Sequence, residues 1–124
     1  MSKHLIFVYG TLKRGWGNNA IIHDQECLGE AITVEHSFQM YTLGGFPGVV
    51  GGDKQIMGEL WEVDDTAFDR CDRLEGHPRF YKRYQIEVLT KKLTGMSKDT
   101  AWIYIYQGDV SQRTPIKEWT HAYS

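Results

Sequence analysis

The chain has 124 residues, which is the size of one ordinary domain, so we expect a single domain over residues 1–124 and exclude a second one. Its 14 basic and 16 acidic side chains give a net charge of −2, which excludes a broad basic surface for nucleic acid or anionic lipid. The apolar stretch near the start, residues 5–9, is too short for a signal-peptide core or a membrane span. We therefore expect a cytoplasmic protein with no nucleic-acid or membrane partner.

The first predicted elements are a strand and a short helix. Residues 4–9 form a near-continuous apolar run with β-branched and aromatic members, which is typical of a central strand covered on both faces. Asn18 or Asn19 can cap a helix over residues 20–25, because a side-chain amide oxygen accepts an unpaired N–H of the first helical turn.

The middle of the chain is predicted to be mainly β-structure. Residues 28–37, 38–43 and 55–63 carry strand patterns, and Glu59 lies on an apolar face of the last of them. We interpret Glu59 as a buried, hydrogen-bonded structural residue. The glycine-dense segment 43–52 interrupts these strands and is predicted to be an irregular loop.

The second half is predicted to contain one clear helix and a hairpin. The helix opens at Asp64 and stops at Gly76, and its apolar stripe consists of Ala67, Phe68, Cys71 and Leu74. Residues 80–90 and 100–106 are predicted to pair across a polar turn over residues 91–99. The side chains predicted to point inward from the first strand are Tyr84, Ile86 and Val88, and those that share one side of the second are Trp102, Tyr104 and Tyr106.

The order of these elements decides the predicted fold class. Five or more short strands with two small helices do not fit the strict βαβ alternation of a doubly wound sheet. We therefore predict an α+β fold, a small mixed or antiparallel β-barrel with flanking short α-helices.

The glycine-containing loop after the first strand, residues 9–19, is a candidate anion site, because free backbone N–H groups at a strand end can surround an anion. The spacing of its first two glycines matches a P-loop, but Trp16 and Gly17 stand where the motif needs Lys and Ser or Thr. A dinucleotide fingerprint fails as well, because six residues separate it from the strand and no βαβ unit follows. From spacing alone, an ordinary strand-to-helix turn is the alternative.

Glu75 is the candidate acid or base. It precedes Gly76 at the C-terminal end of the predicted helix, where exposed carbonyl groups disfavour a carboxylate. This placement, with partial burial beside Leu74, Phe80 and Tyr81, would raise its pKa towards the range for proton transfer near neutral pH. A solvated glutamate at a helix end is the alternative.

No metal, cofactor or protein nucleophile is indicated by the sequence. Ligand spacing within one element is lacking for the candidate histidines, His23, His77 and His121. Cys27 and Cys71 form no C-x-x-C pair and are expected to be reduced, with Cys71 in the core, and a Gly-x-Ser-x-Gly motif is absent. The aromatic strand 100–106 has few basic neighbours, which favours a barrel wall over base stacking.

Four segments carry a family pattern, and they occur in the order FVYGTLKRG (7–15), FPGVV (46–50), GELWEVD (58–64) and DRLEGHPRFYKR (72–83). Together they resemble the γ-glutamylcyclotransferase-like proteins, most closely the γ-glutamylamine cyclotransferase and AIG2-like branch. Tyr-Gly-Thr-Leu combined with Leu-Glu-Gly before a proline is far more specific than either part. Two positions depart from the family pattern: Trp16-Gly17, where many members have Pro before Asn, and Cys71, where a Leu usually stands.

The resemblance implies a small barrel enzyme that uses no metal or cofactor. In this family the Tyr-Gly-Thr-Leu loop holds the glutamyl α-carboxylate of the substrate with backbone N–H groups, and here that loop consists of Tyr9, Gly10, Thr11 and Leu12. The catalytic glutamate of the family falls on Glu75, and Tyr81 falls on a substrate-binding position. The implied reaction is attack of the substrate α-amine on its own γ-carbonyl, which releases 5-oxoproline and an amine.

Two other interpretations stand beside the enzyme. A non-catalytic barrel would keep the anion-binding loop and bind a small ligand without turnover, although the retained Glu75 favours catalysis. An interaction module would use the aromatic strand 100–106, if that strand exposes an apolar patch. As partners we expect a small γ-glutamyl substrate, whose leaving amine the sequence does not specify, and at most one further copy of the chain.

Overall fold

Five strands of the described chain, residues 2–120, close into a β-barrel. In this computed structural model their order around the barrel is β1 (Lys3–Val8), β5 (Met57–Asp64), β2 (Glu26–Thr33), β6 (Tyr81–Lys92) and β7 (Gly95–Tyr106). β1 pairs antiparallel with β5 and parallel with β7, and the second pairing closes the barrel. The predicted central strand and the predicted α+β barrel are both confirmed.

A second, three-stranded sheet contains two strands that the sequence analysis missed. β3 (Phe38–Thr42) pairs with β4 (Pro47–Gly51) and with β8 (Thr114–Ile116), so the prediction of an irregular loop throughout residues 43–52 is wrong. Gly48 permits close packing between this sheet and its neighbours. A Cβ atom on Gly48 would lie only 2.7 Å from Leu43 Cδ1.

The clear helix of the prediction is present as α1 (Asp65–Leu74). Asp64 caps it, because Asp64 Oδ1 accepts a hydrogen bond from the Ala67 N–H at 2.8 Å. Gly76 follows the helix with a φ of +63°, a conformation that glycine adopts without steric cost. Of the predicted apolar stripe, the buried members are Ala67, Phe68 and Cys71, while Leu74 is 39% exposed. No helix within residues 2–120 is long and apolar enough to cross a membrane.

The other predicted helix, over residues 20–25, is wrong. The chain forms only a 3-10 turn, Asn19–Ile21, and Asn18 provides no side-chain cap. The side-chain amides of Asn18 and Asn19 instead donate to the loop after β1, at 2.9 Å and 2.8 Å from oxygen atoms of Thr11 and Leu12. The two side chains that were predicted to cap a helix therefore fix this loop instead.

The predicted hairpin is longer than its sequence pattern indicated. β6 and β7 pair as far as Lys92 opposite Gly95, so most of the segment 91–99 is strand and the turn is tight. Tyr84, which was predicted to point inward, is 44% exposed, although Val88 on the same face is fully buried. Strand alternation identified the face correctly but not the length over which that face is covered. β2 similarly ends at Thr33 and not at residue 37.

The C-terminal segment, to which the sequence assigned no role, contributes to the core. Trp119 is 1% exposed, and its carbonyl oxygen accepts a hydrogen bond from Lys13 Nζ at 3.0 Å. This contact joins the segment to the loop after β1. His121, a candidate ligand of the sequence analysis, lies outside the described residues.

Candidate functional site

A pocket of about 390 Å³ lies beyond the C-terminal end of β1. Its wall includes residues 9–12 of the following loop, Glu75 after α1 and Tyr81 at the start of β6. Every site residue predicted from the sequence therefore borders one cavity, although these residues come from three separate parts of the chain.

Glu75 is held at the edge of this pocket by the end of α1. Its backbone N–H donates to the carbonyl oxygen of Cys71 at 2.9 Å, and the residue is only partly exposed. Burial raises the pKa of the Glu75 carboxyl to about 7. The sequence analysis attributed such a shift partly to the helix end, whereas desolvation of the carboxylate is its cause here. Both protonation states are therefore accessible near neutral pH.

Three buried tyrosines surround Glu75 and keep their protons. Tyr9 OH donates to the carbonyl oxygen of Tyr104 at 2.6 Å, and Tyr81 OH donates to the carbonyl oxygen of Pro47 at 2.7 Å. Burial raises the pKa of Tyr81 and of Tyr104, and the nearby charge of Glu75 raises both further. Their hydroxyl groups therefore act as hydrogen-bond donors and not as bases.

The loop after β1 presents unused backbone donors to the pocket. Within residues 2–120, no protein acceptor is bound by the N–H groups of Gly10, Thr11 and Leu12. The next N–H, that of Lys13, donates back to the Gly10 carbonyl oxygen at 3.0 Å and tightens the turn. Gly10 is required by close packing, because a Cβ atom there would lie 2.6 Å from Pro47 Cγ. Adjacent free N–H groups of this kind can bind an anion.

Glu59 supports the same loop from β5. Its Oε1 atom accepts hydrogen bonds from the Arg14 N–H at 2.9 Å and from Trp61 Nε1 at 3.1 Å. The residue is half-buried. The predicted hydrogen bonding of Glu59 is therefore confirmed, whereas the predicted full burial is not, and its bonds fix the loop against the barrel.

A polar network that the sequence analysis did not identify anchors the last turn of α1. Asp72 Oδ1 accepts hydrogen bonds from Arg83 Nε at 2.9 Å and from Tyr104 OH at 2.7 Å. The Arg83 guanidinium also lies 4.4 Å and 4.6 Å from the ring centroids of Phe68 and Trp102. The network ties the helix to β6 and β7 one turn before the candidate glutamate.

We expect Asp72→Asn to destabilise the protein by about 1–3 kcal/mol, because it leaves a half-buried guanidinium without its charged partner. The matched control is Asp69→Asn on the same helix. Asp69 pairs with Arg73 at 2.9 Å, but both side chains are largely exposed, so its loss is expected to cost at most about 0.5 kcal/mol. Denaturant unfolding measures both variants. Equal destabilisation would contradict the role given to Asp72.

The remaining chemical candidates lie apart from this pocket. Cys71 is fully buried in the core, as expected, and burial raises its pKa to about 12, so its thiol is a poor nucleophile. Cys27 and Cys71 are both free thiols. His23 is exposed and His77 is half-buried. In the part of the chain that the structure describes, no three His, Cys, Asp or Glu side chains are grouped to hold a metal ion.

Several pocket residues were not identified as site residues from the sequence, namely Asn18, Phe46, Pro47, Phe80, Tyr104 and Tyr106. Pro47 is the first residue of β4 and Phe46 directly precedes it, so both reach the pocket from the segment that was predicted to be a loop. Tyr104 and Tyr106 do belong to the barrel wall that the aromatic pattern predicted, but the alternation does not show that this part of the wall faces a cavity. The one sequence signal for Phe46 and Pro47 was their position in the family motif 46–50.

Comparisons with known proteins agree on one family. The family model described as "Gamma-glutamyl cyclotransferase, AIG2-like" matches residues 6–121. The chain is 38% identical over 105 residues to the "Putative gamma-glutamylcyclotransferase" of Vibrio cholerae, covering 85% of this chain and 84% of that protein. It is 34% identical over 126 residues to the "Gamma-glutamylaminecyclotransferase" of Rattus norvegicus, covering 92% and 81%.

A solved structure gives the same result for the fold. The crystal structure of an AIG2-like protein from Mus musculus superimposes with a TM-score of 0.82 at 24% identity, covering 97% of this chain and 90% of that one. The match of the family model over nearly the whole described chain, together with the two relatives above, settles the assignment. The chain belongs to the gamma-glutamyl cyclotransferase, AIG2-like family.

Proposed function

We propose that this protein converts a γ-glutamyl amide into 5-oxoproline and a free amine, with Glu75 as the general acid and base. One observation carries the proposal: a glutamate whose pKa is raised to about 7 shares a pocket with the unused N–H groups of residues 10–12. Glu75 is suited to transferring protons, and the N–H groups are suited to binding a carboxylate. A γ-glutamyl group needs both, because it carries an α-amine and an α-carboxylate on one carbon.

The α-carboxylate of the substrate binds the N–H groups of Gly10, Thr11 and Leu12 in this proposal. Asn18 and Glu59 stabilise that loop through hydrogen bonds to Thr11 and Arg14, so the donors are oriented before the substrate arrives. Tyr81 contributes its ring to the wall of the pocket. Its hydroxyl group does not bind the substrate in this proposal, because it already donates to the carbonyl oxygen of Pro47. Holding the curled conformer is a large part of catalysis, because nucleophile and carbonyl belong to the same molecule.

The proton transfers balance with Glu75 alone. The Glu75 carboxylate removes one proton from the α-ammonium, and the amine lone pair attacks the γ-carbonyl carbon and forms the ring C–N bond, which leaves the ring nitrogen with two protons. As the bond from that carbon to the leaving nitrogen breaks, the Glu75 carboxyl gives its proton to this nitrogen. The regenerated carboxylate then takes the second proton from the ring nitrogen and passes it to the released amine. The products are 5-oxoproline and an ammonium ion, and Glu75 is again ionised. No water is consumed.

The experiment that tests this function is an assay of 5-oxoproline release from a panel of γ-glutamyl compounds, with Glu75→Gln as the blank. We expect 5-oxoproline and free amine in equal amounts from at least one compound. Saturable binding of these compounds without any product would contradict the proposal and would indicate the non-catalytic binding barrel instead.

The pH dependence of kcat/KM is expected to show an acid limb with an apparent pKa near 7, because only the carboxylate form of Glu75 accepts the substrate proton. Activity should fall by about tenfold for each pH unit below that value. Initial rates between pH 5 and pH 8, at substrate concentrations well below KM, measure the profile. A flat profile over this range would contradict the assignment of Glu75 as the base.

A further inference from the structure

Lys13 is a buried lysine that the proposed mechanism does not use. It is only 8% exposed, and its ammonium group donates to the carbonyl oxygen of Trp119 at 3.0 Å. In the part of the chain that the structure describes, no carboxylate forms an ion pair with it. Lysine is rarely buried without such a partner, because desolvating the charge and ordering the long side chain both cost free energy. A positive charge without a carboxylate partner is therefore held on the residue that directly follows the anion-binding loop, residues 9–12.

The main chain of Lys13 belongs to the turn that carries the unused N–H groups. Its N–H donates to the Gly10 carbonyl oxygen at 3.0 Å, and its carbonyl oxygen accepts a hydrogen bond from the Trp16 N–H at 3.1 Å. Its side chain, in contrast, extends to a residue 106 positions further along the chain. Because one residue makes both sets of contacts, the anchor of the ammonium group also restrains the N–H groups of residues 10–12.

The segment that accepts the hydrogen bond of Lys13 is built into the fold. In β8, Ile116 pairs with Met40 of β3, and three residues later Trp119 is 1% exposed. The Trp119 ring packs against the Trp16 ring with the two centroids 5.8 Å apart, and the ammonium group of Lys13 lies 6.0 Å from the Trp16 ring centroid. A buried anchor of this kind orients the loop before a ligand arrives, and preorganised donors bind a ligand more tightly than mobile ones.

The charge of Lys13 suits the ligand of the proposed function. In the reacting complex the substrate α-carboxylate binds residues 10–12 and the carboxylate of Glu75 borders the same pocket, so two negative charges share one site. Within residues 2–120, no Lys, Arg or His side chain lines this pocket. Lys13 supplies a positive charge from behind the loop, and a buried charge is screened less by solvent and salt than an exposed one.

We propose that Lys13 is a positioning residue for the substrate α-carboxylate. Its ammonium group, fixed to the Trp119 carbonyl oxygen, holds the N–H groups of residues 10–12 in place and offsets the charge of the anion that they bind. Lys13 does not line the pocket and acts through the loop. The inference rests on the proposed function, because it concerns the same site. It also gives the C-terminal segment a role in substrate binding, since that segment provides the anchor.

Two ligands that differ in one group test the proposal by direct binding. They are 5-oxoproline, which carries the carboxylate, and 5-oxoprolinamide, in which a neutral carboxamide replaces it. We expect Lys13→Met to raise the Kd of 5-oxoproline by at least about tenfold and the Kd of the amide by less than about threefold, because hydrogen bonds to a charged group are about twice as strong as those to a neutral one. Calorimetry with the wild type and the variant measures the four constants.

Steady-state kinetics with the fastest γ-glutamyl substrate of the panel gives a second measurement. The α-carboxylate is bound alike in the ground state and in the transition state, so we expect Lys13→Met to raise KM by at least about tenfold while kcat stays within about threefold of the wild type. The matched control is Lys91→Met, which removes the same charge from an exposed position near the end of β6. Lys91 does not line the pocket, so KM and kcat should both stay within about twofold of their wild-type values. If Lys13→Met does not fold by circular dichroism, Lys13→Gln, which is neutral but keeps a hydrogen-bond donor, makes the same test.

The outcomes separate this inference from the proposed function. If the wild type releases 5-oxoproline but the folded Lys13 variant binds both ligands as the wild type does, the inference is wrong and the proposed function stands. An equal loss of affinity for both ligands would also overturn the inference, because it would show a general loosening of the pocket. If the wild type releases no 5-oxoproline from any γ-glutamyl compound, the proposed function fails, while a selective loss of 5-oxoproline binding would still support the role of Lys13 at a carboxylate site.

Discussion

Glu75→Gln is expected to lower kcat by about 10²- to 10⁴-fold, which is the usual contribution of a general acid–base group. The amide has nearly the shape of the carboxyl group but does not exchange protons near neutral pH. Substrate binding should persist, because the α-carboxylate contacts a different part of the pocket. The measurement is the rate of 5-oxoproline release at saturating substrate, together with binding by calorimetry.

The matched control for this variant is Glu62→Gln. Glu62 lies on β5 and does not line the pocket. The rate of 5-oxoproline release by Glu62→Gln should therefore stay within about twofold of the wild-type rate. If Glu75→Gln kept more than about a tenth of the wild-type rate with an unchanged melting profile, another group would have to move the protons.

The raised pKa of Glu75 also predicts how Glu75→Gln changes the stability of the folded protein at different pH values. The pKa of Glu75 is raised to about 7 in the folded protein from an ordinary value of 4.5, so the folded state holds this proton more tightly than the unfolded state. Ionisation of Glu75 therefore costs stability progressively as the pH rises from about 4.5 to 7, by about 3 kcal/mol in total. Glu75→Gln lacks this cost and should be more stable than the wild type at pH 8 but not at pH 4.5. Denaturant unfolding at the two pH values measures the difference, and a destabilised variant at pH 8 would contradict the cause given for the raised pKa.

Acetylation of the substrate α-amine is expected to abolish the reaction. In the proposed mechanism the nucleophile belongs to the substrate, and the acetyl group removes the lone pair that attacks the γ-carbonyl while the α-carboxylate remains available to the loop. The blocked compound should therefore compete with the substrate at the same site without forming any product. Its N-methylated counterpart is the control, because a secondary amine keeps the lone pair and should still cyclise.

A hydrolase would behave differently towards the blocked compound. An enzyme-borne nucleophile or an activated water molecule does not need the substrate amine, so the N-acetylated amide would be cleaved to N-acetylglutamate. Detection of that product by mass spectrometry would rule out the cyclisation mechanism.

The sequence alone predicted those elements whose signals lie within one short segment of the chain. α1 was predicted from an N-cap, an apolar stripe and a terminal glycine that all lie within one short segment, and the structure places all three there. The barrel followed from strand patterns that do not depend on exact pairing. The raised pKa of Glu75 was also anticipated, but its cause is burial of the carboxyl group and not the helix end.

The failures come from interactions between segments that lie far apart in the sequence. Asn18 and Asn19 have the side chains of helix caps, but their amides donate to the loop after β1. Glycines in residues 43–52 suggested a loop, because the sequence does not show that Gly48 packs against Leu43 and Tyr106. The bonds between Asp72 and Arg83 could not be predicted either, since they depend on how α1 docks on β6.

The most direct test of intramolecular attack is to run the reaction in H₂¹⁸O and to determine the masses of the products by mass spectrometry. Attack by the substrate amine keeps the original γ-carbonyl oxygen, so we expect 5-oxoproline of unchanged mass and an equal amount of free amine. The Glu75→Gln variant run in parallel corrects for spontaneous cyclisation. Glutamate that carries one ¹⁸O atom in its γ-carboxyl group, in place of 5-oxoproline, would show attack by water and would contradict the account.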